Sequence, residues 1–306
     1  MTRLNSNIPT LDPSQVTAFH AKSMGWFPNY VSNNKHRFFH INQLKDVNNK
    51  EDFTLPPHRK TFFDFIYITK GSTIRTKGLN AYEFGAGNIF FLPPHQITEH
   101  TKMSPDLEGY FCHFNQAIFE HLPSNYLSEN YAFFKLQANP LVHLPKEKQA
   151  IVEHILSRMT TVYNEDSPST NKKLFSAYLI SLFEEVKMHY QTDNYNSNKS
   201  CFEITERYKY LLSKNIYKFQ DVASFADLLH ISPNYLNKCV KKSTNKTSHD
   251  LLHEMLILEA KTLIKYSNFQ IHEIANKLCN QSPSNFARFF KKHTGMTPKE
   301  YASKAN

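Results

Sequence analysis

The sequence predicts an α+β multidomain fold: an N-terminal β sandwich or barrel, a helical pair, and an all-α C-terminal domain made of two helix-turn-helix units. Three observations predict it. Short aromatic and β-branched runs before residue 115 give way to helical spacing from Lys146 onward. The stretch from Gln191 to Ser200 then contains no aliphatic side chain. Beyond it, a sixteen-residue pattern occurs twice, 50 residues apart. A chain of 306 residues has enough material for two cores.

Residues 36–115 read as strands. Phe62–Thr69 (FFDFIYIT) and Asn88–Leu92 (NIFFL) have the aromatic and β-branched character of strands, and Lys70-Gly71, Lys77-Gly78, Gly85-Ala-Gly87 and Pro93-Pro94 break them apart. The phenylalanines Phe62, Phe63, Phe65, Phe84, Phe90 and Phe91 are expected to fill a core. Two helices follow. Ile151, Ile155, Leu156 and Met159 form one stripe, and Leu174, Ala177, Tyr178, Ile180, Ser181, Leu182, Phe183 and Val186 form a second segment. Ser167-Pro168-Ser169-Thr170 separates them, which predicts an α-hairpin that either completes the β core or forms a dimer seam. The expected boundaries are 1–145 for the β domain, 146–190 for the helical pair, 191–200 for a linker and 201–306 for the C-terminal domain.

Cys112, Cys201, Cys239 and Cys279 are far apart and form no C-x-x-C pair, so neither a zinc knuckle nor a disulfide framework is predicted. They are expected to be small buried hydrophobes in a reducing compartment. No stretch approaches the roughly 18 consecutive apolar residues of a membrane helix, and Met1–Gln15 is polar, which predicts a cytoplasmic protein with no membrane partner and no signal peptide. The net charge of +9 is unevenly placed. Residues 201–306 hold 16 Lys and Arg against 9 Asp and Glu, whereas the 200 residues before them hold 20 against 18. A basic C-terminal third points to a polyanion as partner.

The repeat gives that partner a geometry. Ser232-Pro233-Asn-Tyr-Leu236-Asn-Lys238-Cys-Val240-Lys241-Lys242-Ser-Thr244-Asn245-Lys-Thr247 recurs as Ser282-Pro283-Ser-Asn-Phe286-Ala-Arg288-Phe-Phe290-Lys291-Lys292-His-Thr294-Gly295-Met-Thr297. Ser232 and Ser282 suit helix N-caps, Pro233 and Pro283 the first helical position, and Asn245 and Gly295 a left-handed residue past the helix end. The apolar segments Val222–Leu229 and Ile271–Leu278 precede them, which completes two helix-turn-helix units. In each second helix one face is apolar: Leu236, Cys239 and Val240 in the first, Phe286, Phe289 and Phe290 in the second. The opposite face carries Asn234, Asn237, Lys238 and Lys241, or Ser284, Ala287, Arg288 and Lys291.

Those polar faces suit the major groove, where Asn bridges adenine N6 and N7 and Arg clasps guanine O6 and N7. Lys241, Lys242, Lys291 and Lys292 would neutralise phosphates. Asn234, Asn237, Lys238, Ser284, Asn285 and Arg288 are expected at base edges or adjacent phosphates. Ser248–Tyr266 predicts an amphipathic helix of 19 residues between the units, hence roughly 28 Å long. That length lets the two helices enter successive major grooves roughly 34 Å apart, with some bending.

Over Ile204–Tyr301 the sequence resembles the AraC/XylS family of bacterial regulators. The likeness rests on Ala226, Ile231-Ser232, Leu236, Lys241-Lys242, Glu259-Ala260-Lys261, Leu263, Ile274-Ala275, Phe286, Arg288, Phe290-Lys291-Lys292, Thr294-Gly295, Thr297-Pro298 and Tyr301. Cys279-Asn280, Met255 and Ala302 depart from the family pattern, which has Gly-Phe, Arg and Arg at those places. The resemblance implies a transcription regulator whose first 190 residues form a cupin-like β barrel and dimerisation helices. It further implies promoter DNA, a second copy of the chain, RNA polymerase and a small-molecule effector as partners. Leu55-Pro56-Pro57-His58 and the run Gly85–His95 are the landmarks of that half.

A cupin barrel can house a metal enzyme, which needs two histidines one residue apart plus a Glu and a third His. His58, His95, His100 and His113 are the candidates, but Arg59 and Lys60 follow His58, and two positive charges beside a prospective cation site argue against it, so the histidines are expected to be solvent-exposed or satisfied in the core, with no metal and no cofactor. No G-x-S-x-G, P-loop, H-E-x-x-H or dinucleotide fingerprint occurs either, which argues against an enzyme. A protein that only bends DNA would have no use for a barrel that encloses a small molecule.

Overall fold

Two five-stranded sheets face each other in the N-terminal unit of the computed structural model, which describes residues 8–13, 15–16, 38–44, 54–123, 126–135, 138–165, 172–190, 199–279 and 281–305. The strands are β1 (Thr10–Leu11), β2 (Phe39–Gln43), β3 (Leu55–Lys60), β4 (Phe63–Lys70), β5 (Ser72–Lys77), β6 (Asn80–Gly85), β7 (Asn88–Leu92), β8 (Thr98–Met103), β9 (Glu108–Phe114) and β10 (Leu141–His143). One sheet has the order β1-β3-β8-β5-β6 and the other β10-β7-β4-β9-β2. The short β1 pairs with β3 in parallel, and the remaining described ladders are antiparallel.

The aromatic run expected at Phe62–Thr69 is β4, one residue later, and Asn88–Leu92 is β7 as read. Both faces of β4 are covered, which is why its sequence is nearly continuously apolar. Phe65 and Tyr67 face the helices, while Ile66 and Ile68 join Phe84, Phe90, Leu92 and Leu107 between the sheets. Of the six phenylalanines expected in the core, Phe62, Phe65, Phe84, Phe90 and Phe91 are buried, and Phe63 is half-buried. The Leu55-Pro56-Pro57-His58 landmark is itself strand. Prolines lack the N–H a ladder needs, and the pairing with β8 shifts register between Leu55 and His58 around them.

After the short α1 (Tyr126–Asn130) come α2 (Lys146–Asn164) and α3 (Lys172–Lys187), which pack on the second sheet. The buried stripe of α2 is Val152, Leu156 and Met159, whereas Ile151 is 40% exposed and Ile155 half-buried, so the expected stripe is rotated by about one position. On α3 the buried set is Phe175, Ser176, Leu179, Leu182, Phe183 and Val186; Ala177 and Ser181 point outward, and Leu174, Tyr178 and Ile180 are half-buried. The separator Ser167–Thr170 lies outside the described residues.

The chain divides into two compact units, Pro9–Thr192 and one built on Asp193–Asn306. Of the linker expected at 191–200, residues 191–198 lie outside the described residues, and Lys199 and Ser200 already belong to a helix. The second unit is all helical: α4 (Lys199–Asn215), α5 (Val222–Leu228), α6 (Pro233–Thr244), α7 (Ser248–Tyr266), α8 (Ile271–Cys279), α9 (Pro283–Thr294) and α10 (Pro298–Ala305). Tyr208 and Leu212 of α4, Phe225 and Ala226 of α5, and Leu236, Cys239 and Val240 of α6 are among its buried residues. Cys201 and Cys239, distant in sequence, meet here as free thiols with their sulfurs 2.7 Å apart.

Candidate nucleic-acid interface

Each unit of the repeat builds its second helix from the same local parts. Ser232 and Ser282 are N-caps whose Oγ accepts from the Tyr235 N–H at 3.2 Å and the Asn285 N–H at 3.3 Å, with proline in the first turn. Asn245 at φ 57° and Gly295 at φ 80° close the helices in the left-handed region, their N–H groups returning to the Lys241 and Lys291 carbonyls. The duplication extends further along the chain than the sixteen-residue pattern. Thr247 and Asp250 form a capping box that starts α7, and 50 residues later Thr297 and Glu300 exchange the same two bonds at α10.

The turns differ. In the first unit Leu229, His230 and Ile231 turn back on the carbonyls of α5, and His230 takes φ 56°. Asn280 of the second turn lies outside the described residues.

With Leu236, Cys239 and Val240 buried on α6, and Phe286 and Phe290 on α9, the opposite faces are left to solvent. Asn234, Lys238, Lys241, Lys242, Ser284, Asn285, Arg288, Lys291 and Lys292 are all exposed. The tenth expected residue, Asn237, is half-buried and turned toward α7. Its Oδ1 accepts from the Ser248 N–H at 3.1 Å and the Ser248 hydroxyl at 3.3 Å. Only its NH2 is left to donate, so the bidentate adenine bridge expected of Asn237 lacks its acceptor. The equivalent positions in the second unit are the half-buried Ala287 and the buried Pro298, which have neither donor nor acceptor to repeat this brace.

Phe289 is another departure. It is half-buried, and its ring packs at 5.2 Å and 4.8 Å from those of His253 and His293. Burial, then the neighbouring charges of His293 and His249, push His253 below the usual histidine value. On the outer side Asn285 Oδ1 accepts from Arg288 Nη2, so the guanidinium is held in position before any ligand arrives. Tyr235, at the start of α6 and off its apolar stripe, is 40% exposed.

Electrostatically the face is simple. The basic residues Lys241 and Lys242 stand in the last turn of α6, and Lys291, Lys292 and His293 in that of α9; neither first turn has an acid. The described residues include no helix long and apolar enough to cross a membrane.

Comparison with known proteins agrees with both halves. Residues 225–304 match the model of a helix-turn-helix domain, and residues 47–179 that of an AraC-like ligand binding domain. The HTH-type transcriptional regulator YisR of Bacillus subtilis is 21% identical over 78% of this chain and 85% of its own length. The HTH-type transcriptional activator CsvR of Escherichia coli is 24% identical over 51% of this chain, and the match spans only 55% of that relative. A solved structure of ToxT from Vibrio cholerae aligns with 87% of this chain and 98% of its own, at 16% identity and a TM-score of 0.37.

Proposed function

We propose, from the premise that this chain belongs to the AraC family of DNA-binding transcriptional regulators, that it reads a promoter by inserting α6 and α9 into successive major grooves. The observation that carries this reading is the pair of matching capped helices, each with one face buried and the other exposed, polar and basic. Arg288, pre-oriented by Asn285, reads a guanine, and Asn234 has both amide groups for an adenine. Lys241, Lys242, Lys291 and Lys292 hold phosphates and set register. Asn237 holds α6 to α7 and offers the groove donors only.

The two-sheet unit acts as the ligand-binding half, and the helical pair α2–α3 as the seam of a homodimer. Effector binding then alters how two DNA-binding units are presented to promoter and RNA polymerase in the cytoplasm. Selection of genomic fragments by the full chain, with and without small-molecule extracts, tests this. Enrichment of a shared motif with two half-sites one helical turn apart is expected; recovery of unrelated fragments would sink it.

A further inference from the structure

Cys201 and Cys239 are 38 positions apart in sequence, on α4 and α6 of the C-terminal unit, and their sulfurs lie 2.7 Å from each other. Both are free thiols and both are buried. A disulfide bond spans about 2.05 Å, so joining the two sulfurs asks for a movement of less than an ångström.

Packing alone does not call for a pair of thiols at this place. In the second unit the position matching Cys239 is Phe289, which meets the preceding long helix, α7, through the His253 ring at 5.2 Å. The first unit makes its contact between recognition helix and preceding helix with two sulfurs instead.

The two thiols are unequal. Cys239 is fully buried on the apolar face of α6 with Leu236 and Val240, whereas Cys201, the third residue of α4, is 6% exposed. Burial, then the Cys201 thiol beside it, pushes the Cys239 thiol above the usual cysteine value, while Tyr235 and Lys238 pull the other way. Cys239 therefore keeps its proton at neutral pH, and Cys201 is the sulfur that an incoming oxidant meets first.

We propose that Cys201 and Cys239 form an oxidative modification site for a small hydroperoxide, and that the product is a disulfide latching α6 to α4. Cys201 Sγ attacks the O–O bond of hydrogen peroxide and becomes a sulfenic acid, with release of one water. Cys239 Sγ then attacks the Cys201 sulfur: the S–S bond forms, the S–O bond breaks, and the hydroxyl leaves with the Cys239 proton as a second water. The two thiols together lose two electrons, and the peroxide gains them. In a reducing compartment, exchange with other thiols restores the pair. The bond lies on the inner side of α6, so it fixes the helix that carries the exposed Asn234, Lys238 and Lys241 and leaves that face untouched.

Treatment of the full chain with hydrogen peroxide tests the proposal. The four thiols of the reduced chain are expected to fall to two, with one cross-linked peptide pair, containing Cys201 and Cys239, in a mass-spectrometric map. The thermal unfolding midpoint is expected to rise by several degrees, because the cross-link restricts the unfolded chain, and amide exchange to slow in α4 and α6. Dithiothreitol should restore four thiols and the original midpoint, which separates the bond from methionine oxidation. Cys201→Ala and Cys239→Ala are each expected to show neither the peptide pair nor the rise; should the fully buried Cys239→Ala fail to fold, Cys201→Ala decides alone. The proposal is overturned if four thiols survive, if another pair is linked, or if dithiothreitol reverses nothing. A midpoint that stays or falls, unchanged exchange in α4 and α6, or a rise that persists in Cys201→Ala overturns it equally. No DNA enters this assay, so its failure leaves the promoter-reading proposal standing, and failure of the fragment selection leaves the thiol pair standing.

Discussion

Arg288 and Lys292 lie on one helix and are expected to fail differently when removed. Asn285 restrains the Arg288 guanidinium on the exposed side of α9, which favours a two-pronged bond to guanine. Arg288→Ala is expected to lower affinity for the selected site by about 1–3 kcal/mol and to relax preference at one base pair, as read by competition among site variants. An equal loss on every sequence would show that Arg288 touches only phosphate. Lys292→Ala should weaken binding to all sequences alike and reduce the salt slope by about one. A second residue-scale expectation concerns Lys60. Burial lowers its pKa from the ordinary 10.5 to about 8; the charge of Asp64 opposes the shift, and that of Arg75 adds to it. Between about pH 8 and 10.5 the unfolded chain therefore holds a proton that the folded chain has released, so stability rises with pH across that window. The unfolding midpoint of the parent should gain on that of Lys60→Met over that range as pH rises, since the variant lacks the group that titrates. Parallel curves would mean that burial leaves the Lys60 pKa at its ordinary value, so that both states lose the proton together.

At the scale of elements, the tight turn between α5 and α6 carries a testable strain. His230 occupies φ 56°, where a side chain crowds the following carbonyl and glycine does not, and it is exposed. His230→Gly is expected to stabilise the chain by about 1 kcal/mol in denaturant unfolding with an unchanged slope; a loss of stability would show that the ring makes a contact worth more than the strain. Signals confined to one segment were legible in the sequence. Ser232, Pro233 and Asn245 act through the first and last turns of their own helix, and their placing needed no tertiary information. Interactions that join segments were not. The Asn237–Ser248 brace exists only once α6 and α7 cross, and Asp64 meets Lys60 and Arg75 only when two sheets stack. Intermediate cases failed by small amounts. The stripe of α2 is Val152, Leu156 and Met159 because the sheet beneath selects one of two apolar lines that the sequence offers, and Ile151 lies on the other. The strand β3 escaped notice because its two prolines argue against any ladder, and only the bulge opposite β8 reconciles them with one.

For the whole molecule, the decisive question is whether both helix-turn-helix units engage one duplex at the same time. The 19 residues of α7 set a spacing of roughly 28 Å along their axis, near the roughly 34 Å repeat of the major groove. If α6 and α9 bind together, Lys241, Lys242, Lys291 and Lys292 each displace a counterion, and log affinity should fall with log salt at a slope of about −3.6 from these four contacts alone. Inserting about five base pairs between the half-sites moves the second groove to the opposite face of the duplex. Only one unit can then bind without a large distortion, so affinity should drop and the contribution of the lysines to the slope should halve to about −1.8. Inserting a full turn should restore neither value, because the rigid helix between the units fixes their separation, whereas a flexible tether would recover most of both. A slope that is the same for the native and the half-turn site would mean that a single unit carries all the binding in either case, and that the second face serves another surface.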